Sequence, residues 1–123
     1  MKKRVLLVDD TLTIRAYEKL ALGDGYEFVE AENGRAALEA VAEGRPDVIL
    51  LDYSMPELDG LQTLEALKKD AATRDIPVIM VTTQSDPGLL EKFISLGARA
   101  LVKKPIDREE LKKRVTSAVE HPA

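Results

Sequence analysis

Four short apolar segments of this sequence are each followed by side chains that can bind magnesium or phosphate. The segments are residues 5–8, 48–51, 78–81 and 101–102, and the side chains that follow them are Asp9 and Asp10, Asp52, Thr82, and Lys104. Carboxylates are ligands that suit Mg²⁺, while a hydroxyl and a lysine ammonium can donate to phosphate oxygens. If the four segments lie side by side, the set predicts a pocket for magnesium-dependent phosphate chemistry.

The three aspartates are costly to bring together without a cation. Carboxylates about 4 Å apart repel each other by roughly 4 kcal/mol at an effective dielectric constant near 20. Mg²⁺ would offset this repulsion, because it accepts a few carboxylates and a phosphate while it retains several waters. A polar residue after a strand is ordinarily only the start of a loop, so the prediction depends on Asp9, Asp10, Asp52, Thr82 and Lys104 occurring together.

An alternation of strands and helices would bring these side chains together. Strands are predicted at residues 5–8, 27–31, 48–51, 77–81 and 100–102. Several are continuous apolar segments, as in strands buried on both faces of a parallel sheet, and five amphipathic segments follow them. The pattern predicts an α/β fold, a doubly wound parallel sheet of five strands with five helices. Ligands bind such sheets beyond the carboxyl ends of the strands.

Several helix boundaries carry recognisable signals. Asp86 precedes Pro87 as an N-cap precedes proline at the first helical position, and Gly97 follows the same helix. Asp107 and Glu110 have the spacing of a capping box. These signals predict the starts of the fourth and fifth helices and the end of the fourth.

The first helix is predicted to bury Ile14, Tyr17 and Ala21. These residues recur at positions i, i+3 and i+7, which places them on one helical face. We expect that face to pack on the sheet.

Length and composition narrow the possible functions. The chain has 123 residues, 45% of them hydrophobic, which predicts one domain over residues 1–123 with a single core. A formal net charge of -4 gives no general attraction to nucleic acid or anionic membranes. No apolar segment approaches the ~20 residues that cross a bilayer, so membrane insertion is not expected. The chain has no cysteine, which excludes thiolate metal sites and fits a cytoplasmic protein.

The motifs in this chain resemble those of response-regulator receiver domains, the switches of two-component signalling. They are residues 6–10 (LLVDD), 46–52 (PDVILLD), 55–60 (MPELDG), 81–82 (VT) and 104–105 (KP), with 31–34 (AENG) and 97–98 (GA) also matching. The similarity covers nearly the whole chain, in order. It implies a flavodoxin-like sheet with the strand order 2-1-3-4-5 and a chemotaxis-type regulator, either complete or part of a longer protein.

The resemblance also implies a role for each carboxylate. Asp52 would be the phosphoryl acceptor, a nucleophile that attacks the phosphohistidine of a sensor histidine kinase or phosphotransfer protein. Asp9, Asp10, Asp52 and the backbone carbonyl of Ser54 would hold Mg²⁺. Such a protein promotes its own phosphorylation and the hydrolysis of its acyl phosphate, and is not a conventional enzyme.

The remaining pocket residues would carry the signal from the phosphoryl group to the surface. By resemblance, Lys104 neutralises charge on the transferred group, and a cis bond to Pro105 aims it into the pocket. Thr82 would move toward the phosphoryl oxygens, and the face formed by helix 4, strand 5 and helix 5 would rearrange to control a protein partner. The expected protein is a monomer or a weak dimer after phosphorylation, without direct nucleic-acid contact.

Four positions either differ from the family pattern or are expected to tune the chemistry. Leu101 occupies the position in strand 5 that usually carries a switching aromatic residue, so we hypothesise that output depends on the loop at residues 83–86 or on helix 4. Thr83 stands where alanine or glycine is common. Ser54 and Gln84 occupy variable positions that tune hydrolysis of the acyl phosphate.

Two alternative functions remain open from the sequence. A magnesium-dependent phosphatase with an aspartate nucleophile usually has a second acid two residues later, where this chain has Ser54, and it needs insertions for substrate recognition. A receiver-like scaffold that is not phosphorylated would not need every acidic, hydroxyl and lysine position to be present. Both alternatives are therefore weaker than a phosphorylated switch.

Overall fold

The computed structural model describes residues 2–55 and 58–122, so Pro56 and Glu57 of the 55–60 motif lie outside the described residues. The strands are β1 (Lys3–Val8), β2 (Tyr26–Ala31), β3 (Val48–Asp52), β4 (Val78–Thr82) and β5 (Ala100–Lys103). The helices are α1 (Leu12–Leu22), α2 (Gly34–Glu43), α3 (Gly60–Lys69), α4 (Pro87–Ser95) and α5 (Arg108–Glu120). Strands and helices alternate along the chain, as predicted. None of the helices in the described ranges combines the length and hydrophobicity needed to cross a membrane.

All five strands form one parallel sheet in the order β2-β1-β3-β4-β5, which confirms the predicted fold. Its register determines which side chains meet at the carboxyl edge. Val8 pairs with Leu51, so the residues that follow them, Asp9 and Asp52, lie level on β1 and β3. Asp52 pairs with Val81, so Thr82 extends one residue further on β4.

The sheet has a separate apolar layer on each face because successive side chains of a strand point in opposite directions. Leu6 and Val8 of β1 face the layer that contains buried residues of α2, α3 and α4. Val5 and Leu7 face the layer with α1 and α5. Every residue of β3 and β4 is buried, which accounts for their continuous apolar sequences.

The prediction of which residues of α1 are buried is partly wrong. The buried residues of this helix are Glu18, Ala21 and Leu22, while Tyr17 is 39% exposed. Its hydroxyl instead donates to the carbonyl of Ile106 at 3.1 Å. The helix is therefore rotated from the prediction, and an acidic side chain packs on the sheet.

The helix caps largely follow the sequence signals. Asp86 accepts from the backbone of α4, which begins at the predicted proline. Asp107 accepts from the N–H groups of Glu109 and Glu110, so the cap predicted for α5 is present, but only its aspartate half is seen. The complete reciprocal capping box lies at the start of α3, between Asp59 and Gln62.

Candidate functional site

Three aspartates converge at the carboxyl ends of β1 and β3. One carboxylate oxygen from each of Asp9, Asp10 and Asp52 lies within 4.8 Å of the others. Asp9 and Asp52 are buried, with 1% and 4% exposure, and Asp10 is exposed. The sheet register thus assembles the predicted acidic cluster, with its open side at Asp10.

Asp9 is held in place by the chain around it. Its N–H donates to the carbonyl of Ala31 at 3.1 Å, which continues the pairing of β1 with β2 for one residue. Its Oδ1 accepts from the N–H of Thr11 at 2.9 Å, and its carbonyl accepts from Arg15. The second carboxylate oxygen is left to face the pocket.

Lys104 links the two buried carboxylates. Its Nζ donates to Oδ2 of Asp9 at 2.9 Å and to Oδ1 of Asp52 at 3.1 Å. Its own N–H donates to the carbonyl of Thr82 at 2.9 Å. The bond to Pro105 is cis, as the resemblance implies. One ammonium thus stands between carboxylates that would otherwise be buried without a counter-charge.

The pocket keeps an excess of negative charge. Burial and the charge of Asp9 raise the pKa of Asp52, and together they outweigh the opposing charge and hydrogen bond of Lys104. Burial lowers the pKa of Lys104, but its contacts with Asp9 and Asp52 outweigh burial and raise that pKa overall. A single lysine therefore remains charged without fully compensating the aspartates.

Thr82 joins the pocket edge to the loop that leads into α4. The side chain is buried, and its Oγ1 accepts from the N–H of Gln84 at 3.0 Å. Gln84 is half-buried and Thr83 is exposed. The loop conformation is thus tied to the position of the threonine hydroxyl.

The loop after Asp52 returns tightly to α3. The N–H of Gly60 donates to the carbonyl of Tyr53 at 2.8 Å. A Cβ on Gly60 would come 2.6 Å from the Cα of Tyr53 and would also collide with the backbone of Asp52. Only glycine lets α3 begin this close to Asp52. Ser54 lies exposed in the same loop.

Leu101 lies outside the acidic pocket. It packs beside the layer that contains α4 and lines an open cavity of about 360 Å³ with Leu90 and Ile94. An aromatic contact connects the pocket loop to α4 instead: the rings of Tyr53 and Phe93 lie 5.5 Å apart at 61°. Such edge-on pairs add roughly 0.5–1.5 kcal/mol beyond the area they bury.

Glu18 is the residue near the site that was missed from the sequence. Its side chain is 2% exposed, and its Oε1 has no hydrogen-bond partner among the described residues. Burial and, second, the charge of Asp9 raise its pKa to about 8, against a weaker opposing effect of Lys104. Glu18 shares a helical face with Ala21 and Leu22. The sequence feature that could have indicated it is therefore a carboxyl at helical spacing from apolar residues.

Comparison with known proteins identifies the family. The model of the response regulator receiver domain matches residues 5–116. This chain therefore belongs to the response regulator receiver domain family, the receiver component of two-component signalling.

Two curated relatives differ in how much of them this chain spans. The polar-differentiation response regulator DivK of Brucella anthropi is 39% identical over 107 residues, which are 86% of this chain and 87% of DivK. The phosphate regulon transcriptional regulatory protein PhoB of Pseudomonas aeruginosa is 36% identical over 118 residues, covering 95% of this chain and 52% of PhoB. The chain thus corresponds to about half of PhoB.

Solved structures agree with the fold. The chemotaxis protein CheY4 of Vibrio cholerae superposes with a TM-score of 0.87 at 32% identity, covering 94% of this chain and 98% of CheY4. A putative response regulator from Chloroflexus aurantiacus has a TM-score of 0.92 at 29% identity, covering 98% of this chain and all of that chain. The resemblance inferred from the motifs is confirmed.

Proposed function

We propose that this receiver domain is a switch that is phosphorylated on Asp52. The observation that carries the proposal is the position of Lys104, whose ammonium joins Asp9 to Asp52 beside a third carboxylate. The Asp52 carboxylate would attack the phosphorus of a phosphohistidine on a sensor histidine kinase or phosphotransfer protein. The P–N bond breaks, the electron pair returns to the histidine, and an acyl phosphate forms.

The residues present fit a magnesium ion. Three carboxylates have oxygens within 4.8 Å of one another, and among the described residues they face a single ammonium. This leaves negative charge for a hard divalent cation to offset. Asp9, Asp10 and Asp52 would hold Mg²⁺, together with the carbonyl of Ser54. When bound, the ion would neutralise charge on the transferred phosphoryl group.

Lys104 and Thr82 would convert the new charge into a structural change. Lys104 would exchange its hydrogen bond to Asp52 for one to a phosphoryl oxygen. For Thr82 to follow, its hydroxyl would leave the N–H of Gln84, to which it is now bonded. That exchange supports the hypothesis that the loop at residues 83–86 carries part of the output.

The proposed output surface is the face formed by α4, β5 and α5, where a downstream protein would bind. Charge-assisted hydrogen bonds contribute about 1.5–3 kcal/mol each, so two new ones approach the ~5.5 kcal/mol that shifts an equilibrium from 1:99 to 99:1. We expect the bound partner to complete the shift. Leu101 would contribute to this face by packing and not by an aromatic rotation.

The other expected properties stand as parts of this proposal. The chain would act as one receiver domain over residues 1–123, in the cytoplasm, as a monomer or a weak phosphorylation-dependent dimer. Its partners would be proteins and not nucleic acid. Its own chemistry would be limited to autophosphorylation and acyl-phosphate hydrolysis.

Intact-mass measurement after incubation with acetyl phosphate and Mg²⁺ tests the proposal. We expect the mass to rise by one phosphoryl group, in the wild type and in Asp24→Asn, which changes an exposed carboxyl elsewhere. Asp52→Asn should abolish the gain. Labelling that persists in Asp52→Asn would contradict the proposal. Steady hydrolysis of added phosphate esters would support the phosphatase instead, and no modification at all would support the scaffold.

A further inference from the structure

A basic cleft lies at the opposite edge of the sheet from Asp52, where β3, β4 and β5 begin. It encloses a cavity of about 590 Å³. The charged residues that line it are Arg45, Lys68, Arg74, Arg99 and Asp75. Four cations and one carboxylate thus share a cavity in a chain whose net charge is -4.

Within residues 2–55 and 58–122, the four cations of the basic cleft form no ion pair. Among the described residues, the basic side chains within 4.0 Å of a carboxylate are Arg4, Arg15, Lys19, Lys104 and Arg114. None of these lines the basic cleft. Its positive charge is therefore available to a ligand.

Two of the cations are fixed in position by backbone carbonyls. The Nζ of Lys68 donates to the carbonyls of Arg74 at 2.9 Å and Ile76 at 3.0 Å. An ammonium has three donors, so one remains. Arg45 is anchored at 2.8 Å to the carbonyl of Ala72 through one of its five donors. These bonds orient the side chains before any ligand binds, which lowers the entropic cost of binding.

Gly97 leaves room for the aliphatic part of the Lys68 side chain. The backbone there has a φ of 110°, which favours glycine. A Cβ would also come 3.2 Å from Cδ and Cε of Lys68. The stem of Lys68 therefore lies directly over a residue that has no side chain.

The carboxylate near Lys68 does not fully compensate for the burial of its ammonium. Burial lowers the pKa of Lys68, the charge of Asp75 opposes that effect, and the charge of Arg99 lowers the pKa further. A bound anion would favour the charged ammonium and oppose this shift.

We infer that the basic cleft binds a small phosphate-containing ligand that carries at least two negative charges. This binding does not require Asp52. A tetrahedral phosphate accepts donors from several directions, which suits cations placed around a cavity, and guanidinium groups match its oxygens with paired N–H donors. The volume lies within the range of small-molecule sites. Pro122, which is exposed, offers apolar surface to the rest of such a ligand.

Titration with pyrophosphate, followed by amide NMR without Mg²⁺, tests the inference. We expect saturable shifts at the amides of residues 74–76 and 97–99. The double variant Arg74→Gln/Arg99→Gln should weaken binding by about a hundredfold or more, because each of the two charge-assisted contacts it removes contributes about tenfold or more to the affinity. The matched control is Arg35→Gln/Arg108→Gln, which removes two exposed arginines outside the cleft and should bind as the wild type does.

Three results would overturn the inference. If the control variant weakened pyrophosphate binding equally, the effect would come from the overall charge of the molecule and not from the cleft. Shifts confined to Asp9, Asp52 and their neighbours would place the anion at the other edge. Binding of an acidic peptide such as oligoglutamate, without binding of pyrophosphate, would make the cleft a protein-docking surface. None of these outcomes depends on whether Asp52 is phosphorylated.

Discussion

At the scale of single residues, Glu18 is the exception to an otherwise apolar layer between α1 and the sheet. Its carboxyl is buried without a partner for Oε1 and is influenced by the charges of Asp9 and Asp52. A protonated carboxyl costs much less to bury than an ionised one. The layer therefore tolerates Glu18 as an uncharged side chain at neutral pH.

This burial predicts how stability depends on pH. With a pKa of about 8 in the folded state against an ordinary pKa of 4.5, the folded state keeps a proton that the unfolded state loses between those pH values. Stability therefore falls as pH rises through this window, by roughly 1.4 kcal/mol per pH unit at most. We expect Glu18→Leu to remove this loss, so that its advantage over the wild type is larger at pH 8 than at pH 5.

Urea unfolding at both pH values, in EDTA, measures the effect. Glu39→Leu on the exposed face of α2 is the control, and we expect its difference from the wild type to be the same at both pH values. A Glu18→Leu difference that is also independent of pH would show that Glu18 does not titrate in this window.

At the same scale, Asp9, Asp10, Asp52, Thr82 and Lys104 were selected from the sequence because they come at or just after the ends of predicted strands. Register then placed Asp9 level with Asp52, which no property of either residue alone could indicate. Glu18 was missed because an apolar stripe on the neighbouring face, through Ile14 and Tyr17, fits helical spacing equally well. Only the packing of α1 against the sheet distinguishes the two faces.

At the scale of elements, α4 contacts the pocket loop through one aromatic pair. Tyr53 follows Asp52 directly, and its ring meets Phe93 of α4 at 5.5 Å. Because Leu101 offers no aromatic switch, we predict that this contact carries the change from the pocket to the proposed output face. The sequence alone does not reveal this contact, since Phe93 lies 40 positions further along the chain than Tyr53.

We predict that Tyr53→Leu weakens this coupling while leaving the pocket intact. Beryllofluoride with Mg²⁺ mimics the phosphorylated state, and amide NMR would follow the response. The shifts it induces at residues 89–96 should shrink in the variant, whereas those at residues 9–10 and 52 should remain. The reason is that leucine keeps apolar volume but loses the edge-on ring contact.

The matched control is Tyr26→Leu, which alters the aromatic pair with Phe28 on β2, away from α4. Its response to beryllofluoride should match that of the wild type. If the shifts at α4 are unchanged in Tyr53→Leu, or if the wild-type response is confined to β5, the aromatic route is wrong.

The order of elements was readily predicted, while several of their details were not. Continuous apolar segments identified β3 and β4, because both faces of these strands are buried. The half-exposed β2 is longer than predicted and spans Tyr26–Ala31. The capping box at the start of α3 was not predicted, although Asp59 and Gln62 have the same spacing as Asp107 and Glu110.

At the scale of the whole molecule, charge is separated between the two edges of the sheet. The aspartates lie at the carboxyl ends of the strands, and the basic cleft lies where β3, β4 and β5 begin. Strands of five residues span roughly 16 Å, which exceeds the Debye length of about 8 Å at physiological ionic strength. Ions bound at the two edges would therefore influence each other little through solvent.

We predict that magnesium stabilises the fold by binding only at the edge of the sheet that carries the aspartates. Binding to the folded state adds RT ln(1 + [L]/Kd) to the free energy of unfolding, about 2.7 kcal/mol at a hundredfold excess over Kd. We expect Mg²⁺ to raise the urea midpoint of the wild type and of Asp75→Asn. Asp10→Asn should lose most of this gain, because it removes the exposed ligand without disturbing the Lys104 bonds.

Sodium chloride at the same ionic strength would separate binding at the aspartates from general screening. Equal stabilisation of Asp10→Asn and the wild type by Mg²⁺ would mean that the ion does not bind through Asp10.

The register of β1 against β3 also links correct folding to chemical competence. A slip of one residue would turn Val5 and Leu7 toward the wrong layer and would move Asp9 away from its place level with Asp52. Lys104 could not then join the two carboxylates. If Asp52 is the acceptor, labelling by acetyl phosphate therefore requires correctly paired strands, a requirement that spectroscopic helix content does not test.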